Sequence, residues 1–268
     1  MKAPMQIPGL IIGSTDLFRS TPLMVASYPV ELVIARYEED LRWVRRVPTS
    51  VKVTVYNKGA SRPLTAELES RGGISVIPLP NKGREAHSYL THLVERYGSL
   101  APLTVFCQGH PFDHAPDFHA RLRDLEGGYA TPEPFLWYGF LEETDDLFGR
   151  RLFVPWSKNP ERKELRTGGL YEDLFGEPSP EFFHFRGGAQ FTVTLEAVHR
   201  RPEEFYRKAL ELSTDTPLAA HSYERIWDRL FGPPVVDPSI LGPSGVRYLK
   251  RIRRLEEEAG LRQDPDSV

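Results

Sequence analysis

The 268 residues are 40% hydrophobic and 26% charged with a net charge of −3, a balance that excludes a generally basic nucleic-acid binder and leaves ample length for a sizeable core. A single cysteine, Cys107, rules out an internal disulfide and points to a reducing compartment. The apolar run at 9–12 is preceded by Pro4 and Pro8 and followed by Asp16 and Arg19. Neither a signal peptide nor a transmembrane segment is therefore expected; the expected location is cytoplasmic, with peripheral membrane contact left open.

In chain order, residues 1–29 alternate Pro, Gly and short apolar pieces and predict an irregular lead-in. Residues 30–35 read as a strand. Residues 38–47, with Leu41, Trp43, Val44 and Val47, read as a helix stopped by Pro48. A second strand is expected at 51–56, turned by Asn57-Lys-Gly59, then a short helix at 63–70 and a third strand at 73–77. Residues 83–97 place Ala86, Leu90, Leu93 and Val94 on one face of a helix that Gly98 ends, and 103–107 form a fourth strand. This alternation predicts an α/β fold with a mainly parallel central sheet and helices on both faces.

The second half reads as mixed α+β. A helix is expected from 116 to 125, then short aromatic segments at 135–140 and 152–156 between acidic and Pro-rich loops. Helix formers over 160–177 are interrupted by Gly168-Gly169, which predicts a mobile or ligand-responsive segment. Strands at 182–186 and 189–195 meet across Gly187-Gly188, and helices follow at 202–212 and 219–231. Residues 244–261 read as a charged surface helix. The expected organisation is a lead-in over 1–29, one domain over 30–242, and a charged helix and tail over 243–268.

The fourth strand empties into Gln108-Gly-His-Pro-Phe-Asp-His114. In open α/β sheets ligands bind beyond the carboxyl ends of the strands, so a polar cluster there stands where such a fold keeps its chemistry. His110, Asp113 and His114 offer two nitrogens and an oxygen to a divalent cation. Their other reading is a turn in which Asp113 caps the next helix and the histidines hydrogen-bond locally.

Several phrases together resemble a family known chiefly as a domain of unknown function, found in fungi and bacteria. They are Ala35-Arg-Tyr-Glu-Glu-Asp40 with Trp43, Val55-Tyr-Asn-Lys-Gly59, Leu79-Pro-Asn-Lys-Gly-Arg-Glu-Ala-His-Ser-Tyr89 and Val105-Phe-Cys-Gln-Gly-His-Pro-Phe-Asp-His114. Gly188-Ala-Gln-Phe191, Arg201-Pro-Glu-Glu-Phe-Tyr206 and Tyr223-Glu-Arg-Ile-Trp227 extend the likeness to about residue 232. The layout is similar to that of GT-A (Rossmann-like) glycosyltransferases. That resemblance implies a nucleotide-sugar donor, a hydroxyl acceptor and a divalent metal, Mn or Mg, bound after the fourth strand. Here the usual Asp-x-Asp is replaced by the 108–114 phrase.

Such a transferase needs groups for the nucleotide, the diphosphate and the acceptor proton. Arg36, Tyr37, Asn57 and Lys58 follow the first two strands, where a nucleoside would lie. Lys82 and Arg84 open the third helix, where helix dipole and cations favour phosphate. Gln108 and Gln190 complete the expected donor contacts, the latter beside glycines that let backbone approach a ligand. Glu224 occupies the place where the resemblance implies a general base, with an ion pair to Arg225 or Arg229 as its structural alternative. His87 is a second catalytic candidate against a purely structural role. The competing functions are a metal-dependent hydrolase using His110, Asp113 and His114 to activate water, and a non-catalytic sugar- or nucleotide-binding module.

Overall fold

The computed structural model of the chain describes residues 29–59, 71–128, 132–237, 239 and 246–248. The expected helix at 63–70 and most of the lead-in and tail lie outside the described residues. Strands β1 (Val30–Arg36), β2 (Lys52–Asn57), β3 (Ile74–Pro78) and β4 (Leu103–Gln108) carry the first half, with helices α1 (Arg84–Glu95) after β3 and α2 (Phe118–Glu126) after β4. The second half holds β5 (Phe135–Trp137), β6 (Leu141–Asp146), α3 (Thr167–Phe175), β7 (Phe182–Arg186), β8 (Phe191–Thr194), α4 (Leu195–Val198), α5 (Glu203–Asp215), α6 (Ala219–Phe231) and β9 (Val246–Tyr248).

The main sheet has six strands in the order β3-β2-β1-β4-β8-β5. The four strands of the first half are mutually parallel, and β8 runs antiparallel to both β4 and β5. Strand β1 is buried along its length, so its two faces divide the core. Val33 and Ala35 face a cluster with Tyr89, Leu90 and Leu93 of α1 and Tyr223, Ile226 and Trp227 of α6. Leu32 and Ile34 face Val44 and the α2 residues Phe118 and Leu122. Both faces are thus covered, as the β–α alternation requires, and the fold is mixed α/β with a mostly parallel sheet.

Residues 38–47 form no α-helix but a short 3₁₀ turn at Arg42–Arg46. Asp40 explains it: Oδ1 accepts Arg42 N–H at 2.8 Å and Oδ2 accepts Arg42 Nε at 2.5 Å, a local pairing that competes with helical bonding just before Pro48 stops the chain. Residues 152–156 likewise form turns rather than a strand. The glycines at 168 and 169 lie inside α3 instead of interrupting it, and a Cβ at Gly168 would come within 3.0 Å of Leu147 Cδ1, so the absence of a side chain serves close packing there.

A second sheet of three strands, β7-β6-β9, was hidden from the pattern. Strand β6 is Leu141-Glu-Glu-Thr-Asp-Asp146, which reads as an acidic loop. It is a strand because its carboxylates are matched by arginines: across the sheet Glu142 Oε1 accepts Arg186 Nη2 at 2.5 Å, and from α6 Arg225 Nε and Nη2 donate to Asp145 Oδ2 at 2.9 and 2.6 Å. Residues 246–248, expected to be helical, pair with β6 as β9. Strands β7 and β8, although joined across Gly187-Gly188, belong to different sheets.

Candidate functional site

Strand β1 lies between β2 and β4, with Arg36 opposite Asn57 and Ala35 opposite Gln108, so three parallel strands end side by side where the connections diverge. That is the position at which an open parallel sheet leaves a crevice. A cavity of about 480 Å³ opens there, lined by Arg36, Tyr37, Glu39, Lys58, Asn81, Arg84, Glu85, Gln108, His110 and Asp113. A second, of about 400 Å³, adjoins it and shares Arg84, Glu85 and Gln108; His114, Glu143, Phe153, Trp156, Lys158, His221 and Glu224 are among its other walls.

The first chamber has a stiff floor. Arg36 Nη1 donates to Asn57 Oδ1 at 3.1 Å and its Nε to the Glu39 carbonyl at 3.0 Å. Lys58 Nζ donates to the Lys82 carbonyl at 2.5 Å and to the Arg84 carbonyl, pinning the loop before α1. Burial lowers the Lys58 pKa to about 8, with Glu85 opposing the fall and Lys82 adding to it. Asn57 and Lys82 act here through Arg36 and Lys58, since neither lines a cavity with its side chain. Gly59 is required by close approach: a Cβ there would fall 1.6 Å from the Tyr37 carbonyl oxygen. Tyr37 itself presents an exposed ring at the chamber.

Two successive left-handed residues, Gly83 at φ 59° and Arg84 at φ 45°, start α1. The turn aims Arg84 into the shared zone, its side chain 60% exposed and its Nε 3.5 Å from Glu85 Oε2. A non-glycine in this backbone region is uncommon and is sustained by its surroundings, here by the Lys58 bond to its carbonyl. Burial raises the Glu85 carboxyl above its ordinary value, with Arg84 opposing.

The 110–114 segment splits between the chambers. Residues Pro111–Asp113 form a 3₁₀ turn. His110 Nε2 lies 3.5 Å from Asp113 Oδ1, with side chains 53% and 77% exposed. His114 lines the other chamber, its ring against Gly188, where a Cβ would come 2.5 Å from His114 Cγ. Among the described residues no three His, Cys, Asp or Glu side chains are gathered as a metal site. Asp113 does not cap α2, whose N-cap is Asp117. His87 and Gln190 reach neither chamber's lining. His87 is buried one turn into α1, and burial first, then Lys58 and Lys82, lower its pKa to about 4. Gln190 is fully buried, and its side-chain amide makes no hydrogen bond among the described residues.

The second chamber is carboxylate-rich. Glu224 Oε1 accepts Gly188 N–H at 2.6 Å, and its Oε2 stands 3.8 Å from Arg225 Nη1. Glu143 on β6 faces the same space, and its pKa is pushed up to about 7, by burial first and by Glu224 second. His221 is held neutral, its pKa lowered to about 4 by burial. Its ring braces Phe153 and Trp156 at 4.6 and 5.6 Å between centroids. Sequence reasoning missed Glu85, Glu143, Trp156, Lys158 and His221. The one available signal was that Glu143 and Asp145 alternate with Glu142 and Thr144, but without apolar residues the period of two was invisible.

The arrangement is thus a mixed α/β protein with a two-chambered cleft at the carboxyl edge of its parallel strands. Residues 32–127 match the model of a family described as a protein of unknown function (DUF3431), which runs from β1 through α2. The match takes in every lining residue of the first chamber named above and stops short of Glu143 and Glu224. No curated protein matches the chain. None of the described helices is long and apolar enough to cross a membrane.

Proposed function

We propose that the protein is a GT-A-like glycosyltransferase that moves a sugar from a nucleotide-sugar donor to a hydroxyl acceptor. The observation that carries this reading is the sharing of Arg84, Glu85 and Gln108 by two adjoining chambers, because a transferase needs donor and acceptor to meet at one wall. The parallel β3-β2-β1-β4 order with an antiparallel β8 beyond it supports a GT-A-like layout. In this reading Tyr37 offers a face to the nucleobase, Arg84 and the start of α1 meet the diphosphate, and the acceptor enters beside the carboxylates of the second chamber. A panel of UDP- and GDP-sugars tests it by melting temperature, since a ligand specific to the folded state at 100 times its Kd stabilises by about 2.7 kcal/mol. No shift with any donor would remove the reading. A shift with no turnover would leave the binding module.

Replacing Arg84 by alanine is expected to weaken nucleoside diphosphate binding by roughly 1.5–3 kcal/mol while leaving the nucleoside nearly unaffected, the range for a charge-assisted contact. Calorimetry with the two ligands measures it, and equal losses would return Arg84 to its surface pair with Glu85.

The three-ligand metal set does not fit the residues present, because His114 faces the other chamber, and this weighs against the hydrolase alternative. His110 and Asp113 remain as a pair that would complete a Mn or Mg ion carried by the donor diphosphate; such an ion would offset charge on the leaving group. Donor affinity is then expected to fall when a chelator is added. Titration calorimetry with and without chelator tests this, and equal affinity would remove the metal.

A further inference from the structure

We infer that Glu143, rather than Glu224, takes the proton from the acceptor, and that Glu224 is a positioning residue. The inference rests on the glycosyltransferase reading and divides the labour within its second chamber. Glu224 is already engaged, Oε1 accepting Gly188 N–H at 2.6 Å and Oε2 standing 3.8 Å from Arg225 Nη1. An oxygen that already accepts a backbone N–H has less lone-pair capacity left for an acceptor hydroxyl. Glu224 is moreover the brace that holds Gly188 at φ 103°, where the chain turns from β7 towards β8.

Glu143 is placed differently. Its side chain projects from β6 into the chamber, and its carboxylate forms no hydrogen bond or ion pair among the described residues. Gly187 leaves the space in front of it open: a Cβ there would lie 3.1 Å from Glu143 Oε2 and 4.0 Å from Glu224 Oε1, so both carboxylates border one small volume. The charged and titratable groups around that volume are Glu224, Arg225 and His221 of α6, Asp145 of the same strand, His114 after β4, Arg84 and Glu85 at the start of α1, and Lys158 after β6. Arg225 gives its Nε and Nη2 to the single oxygen Oδ2 of Asp145 and partly opposes the rise at Glu143, and His221 is buried neutral and a poor base. Burial and the Glu224 charge raise Glu143's affinity for a proton to the neutral range, which suits general-base work near pH 7.

In the step itself the acceptor O–H bond breaks and its proton passes to Glu143. The freed electron pair bonds the anomeric carbon, and the bond from that carbon to the diphosphate oxygen breaks with its pair leaving on the diphosphate, whose charge Arg84 offsets. Glu224 keeps the Gly188 turn in place and, by its charge, keeps Glu143 basic.

The test compares the wild type with Glu143→Gln, Glu143→Asp and Glu224→Gln, using transfer or hydrolysis of a panel of UDP- and GDP-sugars from pH 5 to 9, with donor affinity and melting temperature measured alongside. Glu143→Gln is expected to lower kcat by about 10²- to 10⁴-fold at unchanged donor affinity and to abolish the rise of kcat with pH through neutrality. Glu143→Asp, which keeps a carboxylate, recovers part of the rate. Glu224→Gln lowers kcat far less than Glu143→Gln and moves the rise to lower pH, because Glu143 loses the charge that raises it. Wild-type kcat and pH profile in folded Glu143→Gln would overturn the assignment alone. Loss of turnover in Glu224→Gln but not in Glu143→Gln would reverse it. A wild type that turns over no donor would overturn the transferase reading, and this inference with it.

Discussion

Asp145→Ala is expected to lower the stability of the protein by about 3–5 kcal/mol, the range for removing one partner of a buried ion pair. Asp145 is fully buried and Arg225 nearly so. Oδ2 of the aspartate receives two guanidinium bonds, and Oδ1 receives the backbone N–H groups of Asp146, Arg151 and Leu152 at 3.0, 3.1 and 3.3 Å. Alanine therefore removes the acceptor of the Arg225 Nε and Nη2 groups, leaving Arg225 its Nη1 bond to the His221 carbonyl, and removes the oxygen that three backbone amides share, and each buried donor that loses its acceptor carries a desolvation penalty. At roughly 2–4 °C per kcal/mol for a chain of this size, the melting temperature should fall by about 6–20 °C. Pairing Asp145→Ala with Arg225→Met removes both charges and should recover only part of the loss, because the backbone donors stay unmatched. Calorimetric melting of the two single variants and the double variant measures the coupling. A loss below about 1 kcal/mol for Asp145→Ala would mean that water reaches the pair.

The same ion pair marks where the sequence ceased to be readable. The strands β1, β2 and β4 were legible because buried parallel strands are apolar runs and their spacing by helices or turns is local. Strand β6 was not, since its stability comes from Arg186 and Arg225, 44 and 80 residues away from the carboxylates they match. The site divides in the same way. The first chamber is built from residues that follow strands directly, so Arg36, Tyr37, Lys58 and Arg84 could be placed by counting from strand ends. The second is assembled from β6, the loop after it and α6, and nothing in the spacing of Glu143, Trp156 and His221 announces a common wall. The 110–114 phrase misled through local geometry: in the 3₁₀ turn at Pro111–Asp113 positions three apart align, which pairs His110 with Asp113, while the next residue, His114, swings to the far side.

Glu143→Gln should make the folded protein more stable at pH 8 and leave it unchanged at pH 4. The sign follows from linkage. The Glu143 carboxyl has a folded pKa of about 7 against an ordinary value of 4.5, so the folded state binds its proton more tightly than the unfolded chain does. The stability it contributes is complete below pH 4.5, declines as pH rises from there and is lost above pH 7, where the folded state must hold a carboxylate against Glu224. A displacement of this size corresponds to on the order of 2–3 kcal/mol once solvent access to the chamber is allowed for. Glutamine has the same shape and never ionises, so the variant keeps at high pH what the wild type loses. The gain should appear as roughly 5–10 °C in melting temperature at pH 8. Asp228, raised to about 6 by burial, and the histidines held near 4 also make stability depend on pH, but they titrate in both proteins and cancel in the difference. Melting curves of the two proteins at half-unit steps from pH 4 to 9 give the result directly. A difference that does not vary with pH would show that Glu143 is solvated rather than confined beside Glu224. A substitution that stabilises the fold at high pH and also abolishes turnover would show that Glu143 is retained at a cost in stability, as is common for groups kept for their chemistry.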